Sequence, residues 1–224
     1  MDLAEAMRVR HSVRAYIEAP LEGTVLETLR AAVEEANDRS GLSLQLVLNE
    51  PHAFEGGLAR YGKFRGVRNY VACVGPKGPQ LQETVGYWGE YLVLLAQTLG
   101  LNSCWVGLTY SKRKAAYTVP AGCKNTAVIA LGYGQTQGMT RKSKTPAEVA
   151  RWGEGEAPAW FAAGVQAALL APTAVNQQRF MLTLEGDRVA ARATGGPYSK
   201  MDLGIVKRHF EIGSGRDHSV WVAR

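Results

Sequence analysis

Leu170–Phe180 reads LAPTAVNQQRF, between an apolar stretch, WFAAGVQAALL (160–170), and a strand-like FMLTL (180–184). The apolar stretch predicts a buried helix over 157–171. Pro172 ends it, because proline has no N–H to donate and its ring clashes with the preceding turn. The chain then presents Asn176, Gln177, Gln178 and Arg179. An amide carries both donors and acceptors, so amides in a row suit a planar heterocycle that offers both kinds of group.

The same plan occurs earlier. AAVEEANDRSGLSLQLVLNE (from Ala31) lies over AALLAPTAVNQQRFMLTLEG (from Ala167), with Leu44, Leu46 and Leu48 on Phe180, Leu182 and Leu184. Both segments read helix, break, strand. A weaker echo sets WGEYLVLLAQTLG beside LGIVKRHFEIGSG. Two related α+β halves in one chain are the expectation, with chance similarity as the alternative. The halves are 1–150 and a shortened 151–224, with GEGEAP as linker, together forming one compact unit. Such a chain has a pseudo-two-fold fold that mimics the isologous interface of a symmetric dimer.

Periodicity fills in the rest. A short helix runs from Asp2, its N-cap, to Val9. Thr24 caps a second helix with Leu29, Ala32, Val33 and Ala36 on one face, and Gly41 ends it. Leu42, Leu44, Leu46 and Leu48 alternate as a half-buried strand. Pro51–Gly66 reads as a loop and 69–74 as a strand. Gln80–Leu99 is a long apolar helix closed by Gly100, and Asn102–Leu108 a strand. Ser111 begins a short basic helix, 125–132 is a buried strand, and Gly134–Lys144 a basic loop. Thr145-Pro146 opens a short helix. Strands at 179–185 and 188–194, a helix over 198–212 and a last strand, HSVWVA, complete the chain.

Composition bounds the function classes. Of 224 residues, 46% are apolar, enough for a sizeable core. No apolar run is long enough to span a bilayer. MDLAEAMRVRHS carries acids and lacks the apolar region of a signal peptide. Cys73, Cys104 and Cys123 are odd in number and lack metal spacing, which fits buried free thiols in a reducing compartment, the cytoplasm. The net charge of +6 suits nucleic acid or a pocket for a phosphate-bearing ligand. The basic residues are dispersed and not interleaved with aromatics, which disfavours a nucleic-acid module. His11, His52, His209 and His218 lack metal-ligand spacing, and no nucleophile elbow or phosphate loop is present.

Two basic clusters remain. Arg10-His11-Ser12-Val13-Arg14 places two guanidinium forks and a hydroxyl within five residues, which suits a phosphate. In an extended segment, residues 10, 12 and 14 point the same way. The alternative is a solvated basic turn. GYGQTQGMTRKSK (132–144) puts Arg141, Lys142 and Lys144 in a loop, which is either a surface charge run or a second wall for the same phosphate. The strand from Asn102 ends at Gly107, where a missing side chain lets backbone approach a ligand.

RHSVRAY, GLNSCWVGL, ALGYGQTQGMTRKSK and APTAVNQQRF together resemble the motifs of the nitroreductase family of flavoproteins. The match departs in order: the amide segment follows the second helix directly in that family, but here it stands in the second half, and ANDRSG takes the earlier place. Arg179 and Phe180 replace the family's Pro-Trp. The resemblance is to a monomeric branch with two fused halves, one flavin site intact and one decayed.

It implies a mixed or antiparallel central sheet flanked by helices. It also implies FMN as cofactor, with NADH or NADPH as electron donor and a nitroaromatic, quinone or similar planar acceptor reduced in a ping-pong cycle. Arg10, His11 and Ser12 would bind the phosphate and ribityl end, with Arg141, Lys142 and Lys144 beside the phosphate. Arg14 would sit near the pyrimidine edge. Asn176 and Gln178 would bond the ring or ribityl hydroxyls, and the backbone of Val106, Gly107 and Leu108 would lie near the reactive nitrogen. No side chain is expected to be catalytic and no metal is expected, since the flavin carries the chemistry. A monomer with an internal pseudo-dimer is the expected assembly, a homodimer the alternative. A non-catalytic or degenerate flavin-binding protein of the same fold is the second functional reading.

Overall fold

The structure, a computed structural model, describes residues 1–222. The chain forms two compact units. The first comprises Met1, Val9–Leu81 and Tyr91–Thr140; the second comprises Asp2–Arg8, Gln82–Glu90 and the chain from Arg141 onward.

The first unit is built on an antiparallel sheet in the order β1-β2-β4-β3: β1 (Gln45–Val47), β2 (Asn69–Pro76), β3 (Asn102–Val106) and β4 (Cys123–Gly132). β2 is buried from Asn69 to Gly75, as its continuous apolar run demands. Tyr16, Phe54, Phe64, Tyr70 and Tyr110 cluster with Val128 and Ala130 as its core. Helix α2 (Gly23–Ser40) buries Leu29, Ala32, Val33 and Ala36, and Gly41 ends it in the left-handed conformation.

The second unit holds α1 (Leu3–Val9) up to Arg8, the first half of α4 (Leu81–Thr98), α5 (Pro146–Val149), α6 (Ala159–Leu170) and α7 (Ser199–Ser214). A small sheet joins β5 (Ala150–Arg151) parallel to β6 (Phe180–Glu185), which forms a hairpin with β7 (Arg188–Ala193). Gly153–Pro158 is a loop within this unit. α7 and α4 cross where neither can carry a side chain. A Cβ on Gly86 would stand 2.0 Å from the Met201 carbonyl oxygen, and one on Gly204 2.0 Å from that of Glu83. The α+β expectation therefore holds, with antiparallel pairing predominant and helices flanking the sheets. No helix among the described residues is long and apolar enough to cross a membrane.

The Asp2 cap holds: its carboxylate accepts from the Glu5 N–H at 2.7 Å. So does the opening of α5 at Thr145-Pro146, where Glu148 adds a capping box. Five local expectations are corrected. Gly23, at φ +55, lets α2 begin one residue before Thr24, with Glu22 as a cap that makes no side-chain bond. The leucine alternation does not make a strand from Leu42. The Asn37 amide occupies both the N–H (2.7 Å) and the carbonyl (3.0 Å) of Leu44 on the side away from β2, and Ser43 adds a single bond to Val74 (2.9 Å) before regular pairing begins at Gln45. The expected loop 51–66 holds a 3-10 turn (His52–Phe54) and helix α3 (Gly57–Tyr61). That turn is organised by Glu50, whose carboxylate accepts from the Ala53 N–H at 3.1 Å and the Tyr70 hydroxyl at 2.8 Å. Ser111 opens a single turn and no helix, because the next N–H, of Ala116, donates to the Tyr70 hydroxyl instead. The last strand is a 3-10 turn, His218–Val220, capped by Asp217 and followed by a bridge from Trp221 to Val189; Ala223 lies outside the described residues.

Candidate functional site

In the first unit, Arg10–Tyr16 is extended and covers the open edge of β3. Ser12 bridges Ser103, and the Val13 N–H donates to the Ser103 carbonyl at 3.0 Å. The strap is tied again at Arg65, which exchanges bonds with Arg14 and Tyr16 at 2.9 and 3.0 Å. The Tyr16 hydroxyl donates back to the Val13 carbonyl at 2.7 Å. Val13 and Tyr16 are buried, while Arg14 is exposed and lies 5.9 Å over the Phe64 ring.

Arg10, Ser12 and Arg14 share one neighbour. Burial pushes the Cys104 thiol up, and Arg14, a Ser12 hydrogen bond and Arg10 each pull it back. Of the three, Ser12 is the one bridged to β3; Arg10 is buried and Arg14 is exposed. β3 ends at Val106, which is buried; Gly107 bends the chain and Leu108 is exposed.

The loop after β4 closes over the strap. Asn102 accepts from the Gly134 N–H at 3.0 Å and donates to Gln137 at 3.0 Å. Gln135 bonds the Ala15 and Tyr16 carbonyls. Gly138, at φ +78, passes so near His11 that a Cβ there would stand 2.6 Å from the histidine Cβ.

In the second unit, the end of α6 leaves carbonyls without intrahelical donors. Arg141 Nη2 donates to those of Leu170 (2.5 Å) and Ala171 (2.8 Å). Gln178 Nε2 donates to Leu169 (3.1 Å) and to Ser143 Oγ (3.0 Å), and its Oε1 accepts from the Lys144 N–H at 2.8 Å. Lys144 Nζ returns to the Gln178 carbonyl at 2.8 Å.

Between these caps and β6, Val175, Asn176 and Gln178 all have positive φ, at 45°, 55° and 44°. Such a conformation is costly for a β-branched residue, and Val175 is 92% exposed. Asn176 Nδ2 donates to the Lys142 carbonyl at 2.8 Å. Its Oδ1 is buried and has no hydrogen-bond partner among the described residues.

Two site residues, Asn102 and Asp202, escaped sequence reasoning, and the reading of Gln177 as an amide for a heterocycle is corrected. Asn102 stands inside a quoted motif, yet nothing in its neighbours marks its side chain as the tie for a loop 32 residues on. Gln177 is not a ligand-facing amide but a strut: its Nε2 donates to the Pro197 carbonyl (2.8 Å) and to Asp202 (2.7 Å). Asp202, buried in the first turn of α7, also accepts from the Ala174 N–H at 3.0 Å. Burial pushes its carboxyl up to about 6, against the lowering effect of the bonds from Gln177 and Ala174.

Comparison with known proteins follows the same line. Residues 2–214 match the family model described as "Putative TM nitroreductase". No curated protein matches. A crystal structure of a "putative nitroreductase" from Thermotoga maritima MSB8 is similar at 20% identity and TM-score 0.64, covering 95% of this chain and 83% of that one. A "putative nitroreductase in complex with FMN" from Desulfovibrio desulfuricans is similar at 19% identity and TM-score 0.50, covering 66% and 94%. A "putative NADH dehydrogenase/NAD(P)H nitroreductase" from Parabacteroides distasonis ATCC 8503 is similar at 18% and TM-score 0.50, covering 66% and 97%. These likenesses speak to the fold, and the family match extends over nearly the whole sequence: the chain belongs to the nitroreductase family, a family of oxidoreductases.

Proposed function

We propose that the protein is an FMN-dependent oxidoreductase that carries electrons from NAD(P)H to a nitroaromatic, quinone or similar planar acceptor. The observation that carries this reading is the strap: Ser12, flanked in the chain by Arg10 and Arg14, is bridged to Ser103 of the strand that ends at Val106. Two guanidinium groups and a hydroxyl suit a phosphate and a ring edge. The buried, unpartnered Asn176 Oδ1 fits a cofactor that offers N–H and hydroxyl donors. The FMN complex and the NAD(P)H name among the similar structures support the same cofactor and donor.

In this reading, Arg10, His11 and Ser12 of the first unit hold the phosphate and ribityl end. Arg14 would place a cation at the pyrimidine edge, where it would offset negative charge on the ring. The N–H groups near Val106, Gly107 and Leu108 orient the ring. Within the second unit, Lys142 and Lys144 offer cations that suit a phosphate and Asn176 an amide oxygen that suits a flavin donor, while Arg141 and Gln178, expected in the same roles, bond the end of α6. When bound, FMN supplies the two-electron chemistry of a ping-pong cycle. The protein acts in the cytoplasm as a monomer of two related halves, 1–150 and 151–224, which light scattering tests.

A second reading, a degenerate flavin binder, is favoured by one observation. The Gln178 amide and the Arg141 guanidinium both bond backbone or side-chain groups of the fold itself. The visible absorption spectrum after addition of FMN and desalting decides, followed by anaerobic addition of NADH or NADPH. Retained flavin that bleaches supports the enzyme; retained flavin that does not bleach supports the second reading; no retained flavin rejects both. Arg10→Ala should weaken FMN binding about 10- to 100-fold, the worth of one charge-assisted contact, as read by fluorescence titration.

A further inference from the structure

We propose that Asp202 is the positioning residue of the amide loop: it holds Thr173–Gln178 so that Asn176 turns its free carbonyl oxygen toward the cofactor. The inference rests on the flavin reading of Asn176 given above. Three non-glycine residues of this loop stand in the left-handed region. Such backbone persists only where surrounding contacts over-determine it. The loop's own bonds, from the Asn176 N–H to the Thr173 carbonyl and from the Gln178 N–H to Thr173 Oγ1, shape it but do not anchor it to the rest of the fold.

Gln178 anchors the end of the loop to Leu169, Ser143 and Lys144, and Asp202 anchors the segment before it. One carboxylate takes the Ala174 N–H before the strained residues and the Gln177 side chain within them. The post itself is rigid, because Met201 and Gly204 on either side are pressed onto α4 at Gly86 and Glu83 without room for a Cβ. Asn176 is then gripped from its other side by the Lys142 carbonyl. One acceptor of the loop's amides is left over, Asn176 Oδ1, which among the described residues is buried without a partner, as are Gln97 Oε1 and Asn125 Oδ1 elsewhere in the chain. A site needs its ligand-facing group locked by supporting bonds on rigid elements, and Asp202 with Gln177 is that support.

A double-mutant cycle tests this. FMN dissociation constants are measured by fluorescence titration for the parent, Asn176→Ala, Asp202→Asn and the double variant, and amide hydrogen exchange is followed over 174–178 in the FMN-free proteins. Each single variant should weaken FMN about tenfold, and the double should be no weaker than Asn176→Ala alone, because Asp202 acts through Asn176. Exchange over the loop should quicken in Asp202→Asn. If Asp202→Asn does not fold, Gln177→Met, which removes only the loop-side partner, takes its place in the cycle with the same expectation. Losses that simply add would show a general structural role and overturn the proposal. Parent-like FMN binding by Asp202→Asn, with weak binding by Asn176→Ala, would overturn it while leaving the flavin reading intact. Parent-like binding by Asn176→Ala would overturn both the proposal and the role of Asn176.

Discussion

The two helix–break–strand passages solve one problem in different ways. After α2, the chain turns at Gly41 in the left-handed conformation, and the Asn37 amide spends its donor and its acceptor on the Leu44 backbone. Nothing in that pair of bonds is left for a ligand. After α6, no glycine is present, and non-glycine residues take the left-handed conformation instead. Three amides stand there, yet Gln177 is spent on Asp202 and Pro197, and Gln178 on the end of α6 and on Lys144. Only Asn176 keeps a buried acceptor in reserve. An economical turn closes itself with glycine and one amide. A turn that holds strained backbone and keeps one polar atom open is a turn shaped for something else.

The sharpest way to break this contrast is Gln178→Ala. It would strand the Leu169 carbonyl and the Lys144 N–H beside a 2% exposed position, at roughly 3 kcal/mol. Urea denaturation of the FMN-free protein should show the loss; an unchanged midpoint would return Gln178 to the ligand. Asn37→Ala should cost about 2 kcal/mol by the same assay and leave FMN affinity unaltered, and a loss of affinity would mean the first break is not closed.

The pH dependence of Asp202 sharpens the second side. Its carboxyl stands at about 6 in the folded chain against an ordinary 3.8, so the folded state binds this proton more tightly than the unfolded. Its contribution to stability is full below the ordinary value and is lost as pH rises through the folded one. Lowering the pH from about 7 to about 4.5 should therefore shift stability toward the parent relative to Asp202→Asn, on the order of 1 kcal/mol. A difference that does not vary with pH would contradict the raised carboxyl. The smallest effect is Val175→Gly, which relieves left-handed strain at an exposed position and should raise stability by about 1 kcal/mol after the entropy cost of glycine. A loss of stability would show that the valine side chain is held by contacts.

Most of the fold was legible because its signals are local and long. The apolar runs at 70–75 and 127–132 and the body of α4 can serve only as buried strand or helix. What was not legible depends on partners distant in sequence. The 3-10 turn at His52 is built by a carboxylate that a tyrosine 20 residues away also holds. The leucine alternation shortens to a three-residue strand, and the Leu44 backbone is tied instead to an asparagine of the preceding helix. The same division runs through the site. The extended run of Arg10–Tyr16 is local and so was open to sequence, whereas the burial of Arg10 and the exposure of Arg14 were not. The division of labour among Asn176, Gln177 and Gln178 is set by Asp202, Ser143 and the end of α6, and no spacing announces it. Three amides in a row therefore read as three ligand groups.

The contrast between the two breaks reduces to a number of binding sites, and the most direct test is the stoichiometry of FMN bound per chain, read by titration to saturation. With the first break closed on itself and the second keeping Asn176 Oδ1 in reserve, the chain should bind about one FMN. Two per chain would mean that the first break also forms a site, and none would mean that the reserved acceptor of Asn176 serves another ligand.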